Sequence, residues 1–144
     1  MNETVLAAII ATIISTGVAT IVSIYLSRKK EQERFDLQLQ NILSYPIKYP
    51  YLENRKFTED WQPSYIDTMD DRYERYENYC NLVFNFLSEV CEWKNFNQEK
   101  IEKYIDVKNW LRIHEKCWKN PTFPHENNDV YSSKFSEFVK KYIP

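Results

Sequence analysis

The sequence predicts an all-α protein in which one N-terminal transmembrane helix continues into a compact cytosolic helical domain. Three observations lead to this prediction. Residues 5–26 form a run of 22 residues without a charged side chain, and residues 28–144 contain no glycine. Apolar residues in that second part recur at alternating spacings of three and four, the period of an amphipathic helix.

The charge-free run is long enough to cross a bilayer, because a helix rises about 1.5 Å per residue and the hydrocarbon core is roughly 30 Å thick. Positive charges follow the run at Arg28, Lys29, Lys30 and Arg34, whereas a secretory signal carries them in front. The positive-inside rule then holds the C-terminal side in the cytoplasm. We expect a single-pass protein of the inner (plasma) membrane with its N-terminus outside. A long signal peptide and a buried core helix are the alternatives.

The predicted span also carries small and hydroxyl side chains that a simple anchor does not need. Such residues allow helices to approach closely and to hydrogen-bond in lipid. We predict that the helix packs against copies of itself through one face, formed by Ala8, Ala11, Thr12, Ser15, Thr16, Ala19, Thr20 and Ser23. In a bundle of four or more helices the same face would line a pore. The third alternative is a plain anchor whose hydroxyls bond their own helix.

The absence of glycine from residues 28–144 excludes several classes of site. Average usage of about 7% predicts about 8 glycines in a segment of this length. Phosphate-binding loops, dinucleotide fingerprints and the nucleophile elbow need glycine for positive φ or for close approach of the backbone to a ligand. Tight hairpin turns favour glycine as well, so the sequence disfavours strands.

The predicted helices follow in order. A juxtamembrane helix covers residues 28–44, behind the tail and span of residues 1–27, and a single aromatic-rich helical domain covers residues 45–144. Prolines at 46, 50 and 63 predict turn or extended geometry in an aromatic stretch that packs on the core. The central helix, capped by Asp67 or Thr68, buries the apolar series Tyr73, Tyr76, Cys80, Val83, Leu87 and Val90.

Two further helical regions complete the domain. Asn97 caps a turn that carries Ile101, and the apolar phase slips at Asp106, so we expect two helices or a kink there. A loop with two prolines follows at residues 120–124. The last amphipathic helix carries Tyr131, Phe135, Phe138, Val139, Tyr142 and Ile143.

The reactive side chains match no catalytic or metal-binding spacing. Three cysteines, Cys80, Cys91 and Cys117, fit no disulfide framework and agree with a reducing compartment. His114 and Cys117 lie one helical turn apart, and a composite zinc site with His125 and Glu126 can be drawn, but no C-x2-C or H-E-x-x-H spacing is present. We expect structural thiols, a packed histidine, no metal, no cofactor and no enzymatic activity. The alternative is a membrane-bound hydrolase that uses His114 or Cys117.

A cationic ridge is the best candidate for ligand binding. It consists of Lys108, Arg112, Lys116 and Lys119, with Trp110 beside it. Repeated around the axis of an oligomer, cations next to aromatic rings would bind a nucleotide or a single-stranded oligonucleotide through charge and stacking. The alternative is a solvated surface above core aromatics.

In the order of its parts, a charge-free N-terminal run followed by a compact cytosolic domain, the chain resembles small membrane effectors of bacterial anti-phage systems, such as the transmembrane subunit of the Hailong system. The resemblance implies a homo-oligomer, a ligand-sensing cytosolic domain, an antiviral role and a nucleic-acid oligomer as ligand. It covers the layout alone and implies no binding residue. We expect a ligand-controlled membrane effector or ion-channel-like pore. The alternative is a non-conducting tether that recruits a cytosolic partner through the aromatic, proline-rich segment.

Overall fold

The computed structural model describes residues 2–63, 70–122 and 130–143, and for residues 3–11 it describes the backbone alone. No strand occurs within those ranges, and the predicted all-α class is confirmed. The predictions for Asp67 and Thr68, and for His125 and Glu126, concern residues outside the described ranges. The elements are α1 (Glu3–Lys48), a 3-10 turn (Pro50–Glu53), α2 (Arg55–Glu59), α3 (Asp71–Trp93), α4 (Gln98–Glu102), α5 (Val107–Ile113), α6 (Glu115–Lys119) and α7 (Ser133–Lys140).

The chain divides into two compact units, residues 1–37 and residues 38–144. From Glu3 onward the first unit belongs to α1. Its large apolar side chains between Ile13 and Leu26 are exposed, with Ile21 at 69%. No helix among the described residues meets the length and hydropathy that a membrane crossing requires. The transmembrane helix predicted over residues 5–26 is therefore without support from the described helices.

Helix α1 continues past the predicted end of the juxtamembrane helix. Residues 28–44 are helical as predicted, but the helix ends at Lys48, so the turn predicted at Pro46 is wrong. A proline at this position lacks the N–H that would bond the carbonyl of Ile42, and its ring crowds that carbonyl, yet the helix continues for two more residues. The backbone N–H of Tyr49 still donates to the carbonyl of Tyr45 at 2.7 Å. The chain leaves helical geometry only beyond this bond.

Helix α3 is the centre of the second unit. It begins after Asp70, whose carboxylate accepts a hydrogen bond from the N–H of Arg72 at 2.9 Å. The predicted apolar series is buried except for Tyr73, which is half-buried. The opposite face carries exposed asparagine and glutamate side chains. The 3-4 alternation of apolar residues therefore identified the buried face of the helix.

Four of the short helices that the structure describes, α2, α4, α5 and α7, begin at a polar side chain that caps their first N–H groups, whereas α6 has no side-chain cap. Asn97 caps α4 by accepting from the N–H of Lys100 at 3.0 Å, and Asp106 caps α5 by accepting from the N–H of Asn109 at 3.1 Å. The predicted break near residue 106 is thereby confirmed. Helix α7, capped by Ser132, is shorter than predicted and buries Phe135, Phe138 and Val139.

The end of α3 shows how a glycine-free domain stops a long helix. The N–H of Asn95 donates to the carbonyl of Glu92 at 2.9 Å, and the N–H of Phe96 donates to the carbonyl of Cys91 at 2.7 Å. These two bonds form a Schellman motif. Asn95 and Phe96 have φ values of 51° and 55°, in the left-handed region that usually holds glycine. Asparagine is the ordinary residue that tolerates this region best.

We predict that Asn95→Gly raises the free energy of unfolding by about 0.5 kcal/mol. Glycine relieves roughly 1 kcal/mol of left-handed strain, and about half of this is offset by the greater entropy of glycine in the unfolded chain. Asn95→Ala is the matched control and should destabilise the protein. Urea denaturation of the full chain, followed by tryptophan fluorescence, measures both. A stabilising Asn95→Ala would contradict the prediction.

Candidate functional site

A groove opens on the second unit where α2 packs against α5 and α6. Its volume of about 950 Å³ lies within the range of small-molecule binding sites, roughly 300 to 1,000 Å³. Residues of α2 form one wall, and residues of α5 and α6 form the other. These segments lie far apart in the sequence, so tertiary packing creates the groove.

Two hydrogen bonds from side chains to backbone carbonyls hold the α2 segment against α6. The indole Nε1 of Trp61 donates to the carbonyl of Asn120 at 2.9 Å. The ammonium of Lys116 donates to the carbonyl of Glu59, which lies at the C-terminal end of α2. Carbonyls in the last turn of a helix have no partner within the helix, so this bond satisfies one of them. It also fixes the Lys116 side chain in the groove.

His114 separates α5 from α6. It is fully buried, with Nδ1 3.0 Å from the hydroxyl oxygen of Tyr76 and 3.6 Å from Sγ of Cys80. Its Nε2 has no hydrogen-bond partner among the residues that the structure describes. Burial lowers the pKa of His114 to about 3, so the imidazole is neutral near pH 7. A buried, neutral histidine therefore anchors the turn that brings Arg112 and Lys116 to one groove.

The lining of the groove carries more cationic side chains than carboxylates. The cations outnumber the carboxylates by two, and two asparagines and a threonine add neutral hydrogen-bonding groups to the lining. Arginine and lysine side chains are the usual protein ligands of phosphate and carboxylate groups. The charged lining residues are Arg55, Arg112, Lys116 and Lys119, with Glu59 and Glu115.

The carboxylates pair with cations of their own helices. Nε of Arg55 lies 2.6 Å from a carboxylate oxygen of Glu59, and Nζ of Lys119 lies 2.8 Å from a carboxylate oxygen of Glu115. Side chains in both pairs are more than a third exposed, so each pair contributes little to stability. Arg112 has no ion-pair or hydrogen-bond partner among the described residues. Glu59 and Glu115 are thus partly solvated counter-ions of Arg55 and Lys119.

The structure brings three of the five predicted ligand-binding residues together. Arg112, Lys116 and Lys119 line the groove, although they lie on two helices and not on the single ridge that we expected. Lys108 is exposed but does not line the groove; its charge acts on Glu102. Trp110 is 7% exposed and lies edge-on to Phe86, with 6.2 Å between ring centroids. We leave Lys108 and Trp110 out of the site.

The opposite wall of the groove was missed by sequence reasoning. Arg55 and Glu59 are spaced four apart, the spacing of a helical ion pair, but that pattern is common on solvated helices. Nothing local shows that α2 packs against α5 and α6. The one usable signal was the aromatic density of this stretch, which predicted that it packs on the core; Trp61 within it is 3% exposed.

The predicted helix-packing face lies in the first unit. Thr12, Ser15, Ala19 and Ser23 fall within an arc of about 80° at 3.6 residues per turn. Hydroxyls on this face bond their own helix: Ser15 donates to the carbonyl of Thr12 at 3.0 Å, and Thr20 donates to that of Thr16 at 2.9 Å. The side chains of Ala8 and Ala11 lie outside the described residues. Bonds of this kind satisfy a hydroxyl without a partner helix or water.

The cysteines are buried and free, as predicted for structural thiols. Burial raises the pKa of the Cys80 and Cys91 thiols, which keeps them protonated near pH 7. Among the described residues, no group of three or more His, Cys, Asp and Glu side chains is arranged to hold a metal ion. Cys80 and His114 therefore belong to the core around Tyr76.

No protein-family model, no curated protein and no solved structure matches this chain.

Proposed function

We propose that this protein is a homo-oligomeric single-pass membrane effector whose helical unit, residues 38–144, binds an anionic nucleotide or oligonucleotide in the groove. Ligand binding favours one packing of the subunits and opens a pore between their N-terminal helices. The observation that carries the proposal is the charge-free run of residues 5–26, which has one face of small and hydroxyl residues and another of large apolar residues. The remainder of the chain acts in the cytoplasm.

The exposure of the large apolar residues supports a lipid environment for the first unit. Ile13, Val18 and Ile21 are each more than half exposed. Contiguous exposed apolar surface of this kind is costly in water and marks an interaction with lipid or with another chain. Lipid would cover the large residues, while copies of the small-residue face would cover each other. Helix α1 continues without a break from Glu3 to Lys48, so a change of packing can pass along it.

The groove supports an anionic ligand. Its cations exceed its carboxylates by two, and Lys116 is held in place by a backbone carbonyl. The rival function, a non-conducting tether that recruits a partner through the aromatic segment, finds less support, because that segment packs inward. Phe57 stacks on Tyr73 with 5.0 Å between ring centroids, and Trp61 is buried.

We predict that expression of the full chain in bacteria collapses the membrane potential, as reported by a potential-sensitive dye. Thr12→Leu with Thr16→Leu should restore the potential, because leucine replaces hydroxyls on the face proposed to line the pore. Ile14→Leu with Ile21→Leu, on the large apolar side, is the matched control and should still depolarise the cell. A normal potential in cells that express the chain would contradict the pore.

A second experiment tests the membrane and the oligomer. The full chain should fractionate with membranes, and chemical crosslinking in mild detergent should give discrete species of four or more copies. Ser15→Leu with Ala19→Leu should abolish them, because the larger side chains prevent close approach of the helices. Recovery of the intact chain from the aqueous supernatant would contradict the proposed span.

A further inference from the structure

The groove in the second unit also indicates which part of an anionic ligand it reads. We propose that it binds a compact, phosphate-dense anion such as a triphosphate chain through charge alone, without contact to a base, and that Glu59 and Glu115 are counter-ions which the anion displaces. This inference rests on the proposed function, since it names the ligand chemistry of the same groove.

The donors of the groove suit phosphate. Two guanidinium groups, from Arg55 and Arg112, can each bind two phosphate oxygens, and two ammonium groups, from Lys116 and Lys119, add point charges. Four cations can meet three or more negative charges on one short chain of phosphates. An anion of lower charge density would leave some of them unused.

The aromatic side chains of the unit are not placed to stack on a base. Among the described residues that line the groove, only Tyr142 is aromatic, and it is 9% exposed. Its hydroxyl donates to a carboxylate oxygen of Glu102 at 2.7 Å, which holds the ring in place. Trp61 and Trp110, which lie on neighbouring segments, are buried. Recognition of single-stranded nucleic acid normally relies on exposed rings, and this groove lacks them among its described residues.

The two carboxylates neutralise part of the positive charge of the groove when no ligand is bound, and an anionic ligand can take their place. Glu59 and Glu115 each neutralise one cation of their own helix at close range. Because both pairs are partly solvated, a multivalent anion can replace the carboxylates at low cost. Arg112, which has no described partner, and Lys116, which a carbonyl fixes, are then the first contacts of an incoming anion.

Isothermal titration of the full chain in mild detergent tests the inference. Inorganic tripolyphosphate and ATP should bind with affinities within about threefold of each other, and adenosine should not bind. Arg112→Gln and Lys116→Gln should each weaken tripolyphosphate binding about tenfold or more, because each removes a charge-assisted hydrogen bond. Lys108→Gln is the matched control on α5 and should leave the affinity unchanged. Raising the salt concentration should weaken binding.

Removing the counter-ions provides the sharpest readout. The double variant Glu59→Gln with Glu115→Gln keeps the shape of the groove and removes two negative charges that compete with the anion. It should tighten tripolyphosphate binding about tenfold. Unchanged or weaker binding by this variant would overturn the proposal that the anion displaces Glu59 and Glu115. Binding of adenosine, or of a DNA oligonucleotide without tripolyphosphate, would overturn recognition by charge alone. These titrations do not depend on conductance. A normal membrane potential together with intact tripolyphosphate binding would therefore contradict the proposed pore and leave the proposed anion site standing.

Discussion

Replacing Leu87 with alanine should lower the free energy of unfolding of the full chain by about 3 kcal/mol. Leu87 lies in α3 and has no solvent exposure, and removal of a buried leucine side chain leaves a cavity that costs 2 to 5 kcal/mol. The loss is a large part of the total stability of a domain of this size. Urea denaturation followed by the fluorescence of the four tryptophans measures it.

Leu82 offers a matched control on the same helix. It is 42% exposed, so Leu82→Ala should cost less than about 1 kcal/mol. The two variants make the same chemical change in the same helix, and their helix propensities therefore cancel. The difference between their losses in free energy of unfolding therefore measures the effect of burial. Equal losses would mean that α3 does not bury the face that contains Leu87.

Acid should destabilise the protein through His114. In the unfolded chain this histidine binds a proton below its ordinary pKa of about 6.5, whereas in the folded chain burial delays protonation to about pH 3. The unfolded state therefore binds more protons between these values, and stability falls as the pH falls. The slope reaches about 1.4 kcal/mol per pH unit. From pH 7.5 to 4.5 the loss should amount to about 2.5 kcal/mol.

The comparison of wild type with His114→Gln isolates this contribution. Glutamine cannot be protonated in this range, so the variant should lose about 2.5 kcal/mol less between pH 7.5 and 4.5, whatever its stability at neutral pH. Urea denaturation at several pH values measures both proteins. His125→Gln is the control for the second histidine of the sequence. Parallel curves for wild type and His114→Gln would show that His114 titrates alike in the folded and unfolded chain.

Much of the fold could be predicted from local sequence. The series from Tyr76 to Val90 identified the buried face of α3, because a helix presents every third and fourth residue to the same side. Asn97 was identified as a helix start because its side chain can satisfy free N–H groups, and the break at Asp106 was identified from the slip in the apolar phase. Pro46 misled the prediction, since its effect depends on where in the helix it falls.

The candidate site was predicted only in part. The spacing picked out Arg112, Lys116 and Lys119, which do line one groove, although the helix breaks between Arg112 and Lys116. Spacing could not show that His114 ends α5, or that Trp110 points into the core. Both depend on side chains contributed by α3, such as Tyr76 and Phe86.

The sequence by itself determined the helical class, the face that α3 buries, and the charge-free, small-residue character of residues 5–26. These properties follow from local period and composition, which act between residues a few positions apart. Only the tertiary structure decided that Arg55 and Glu59 oppose Arg112 and Lys116 across one groove, and that His114 is buried without charge. Such features arise where distant segments pack, and no local pattern encodes which segments meet.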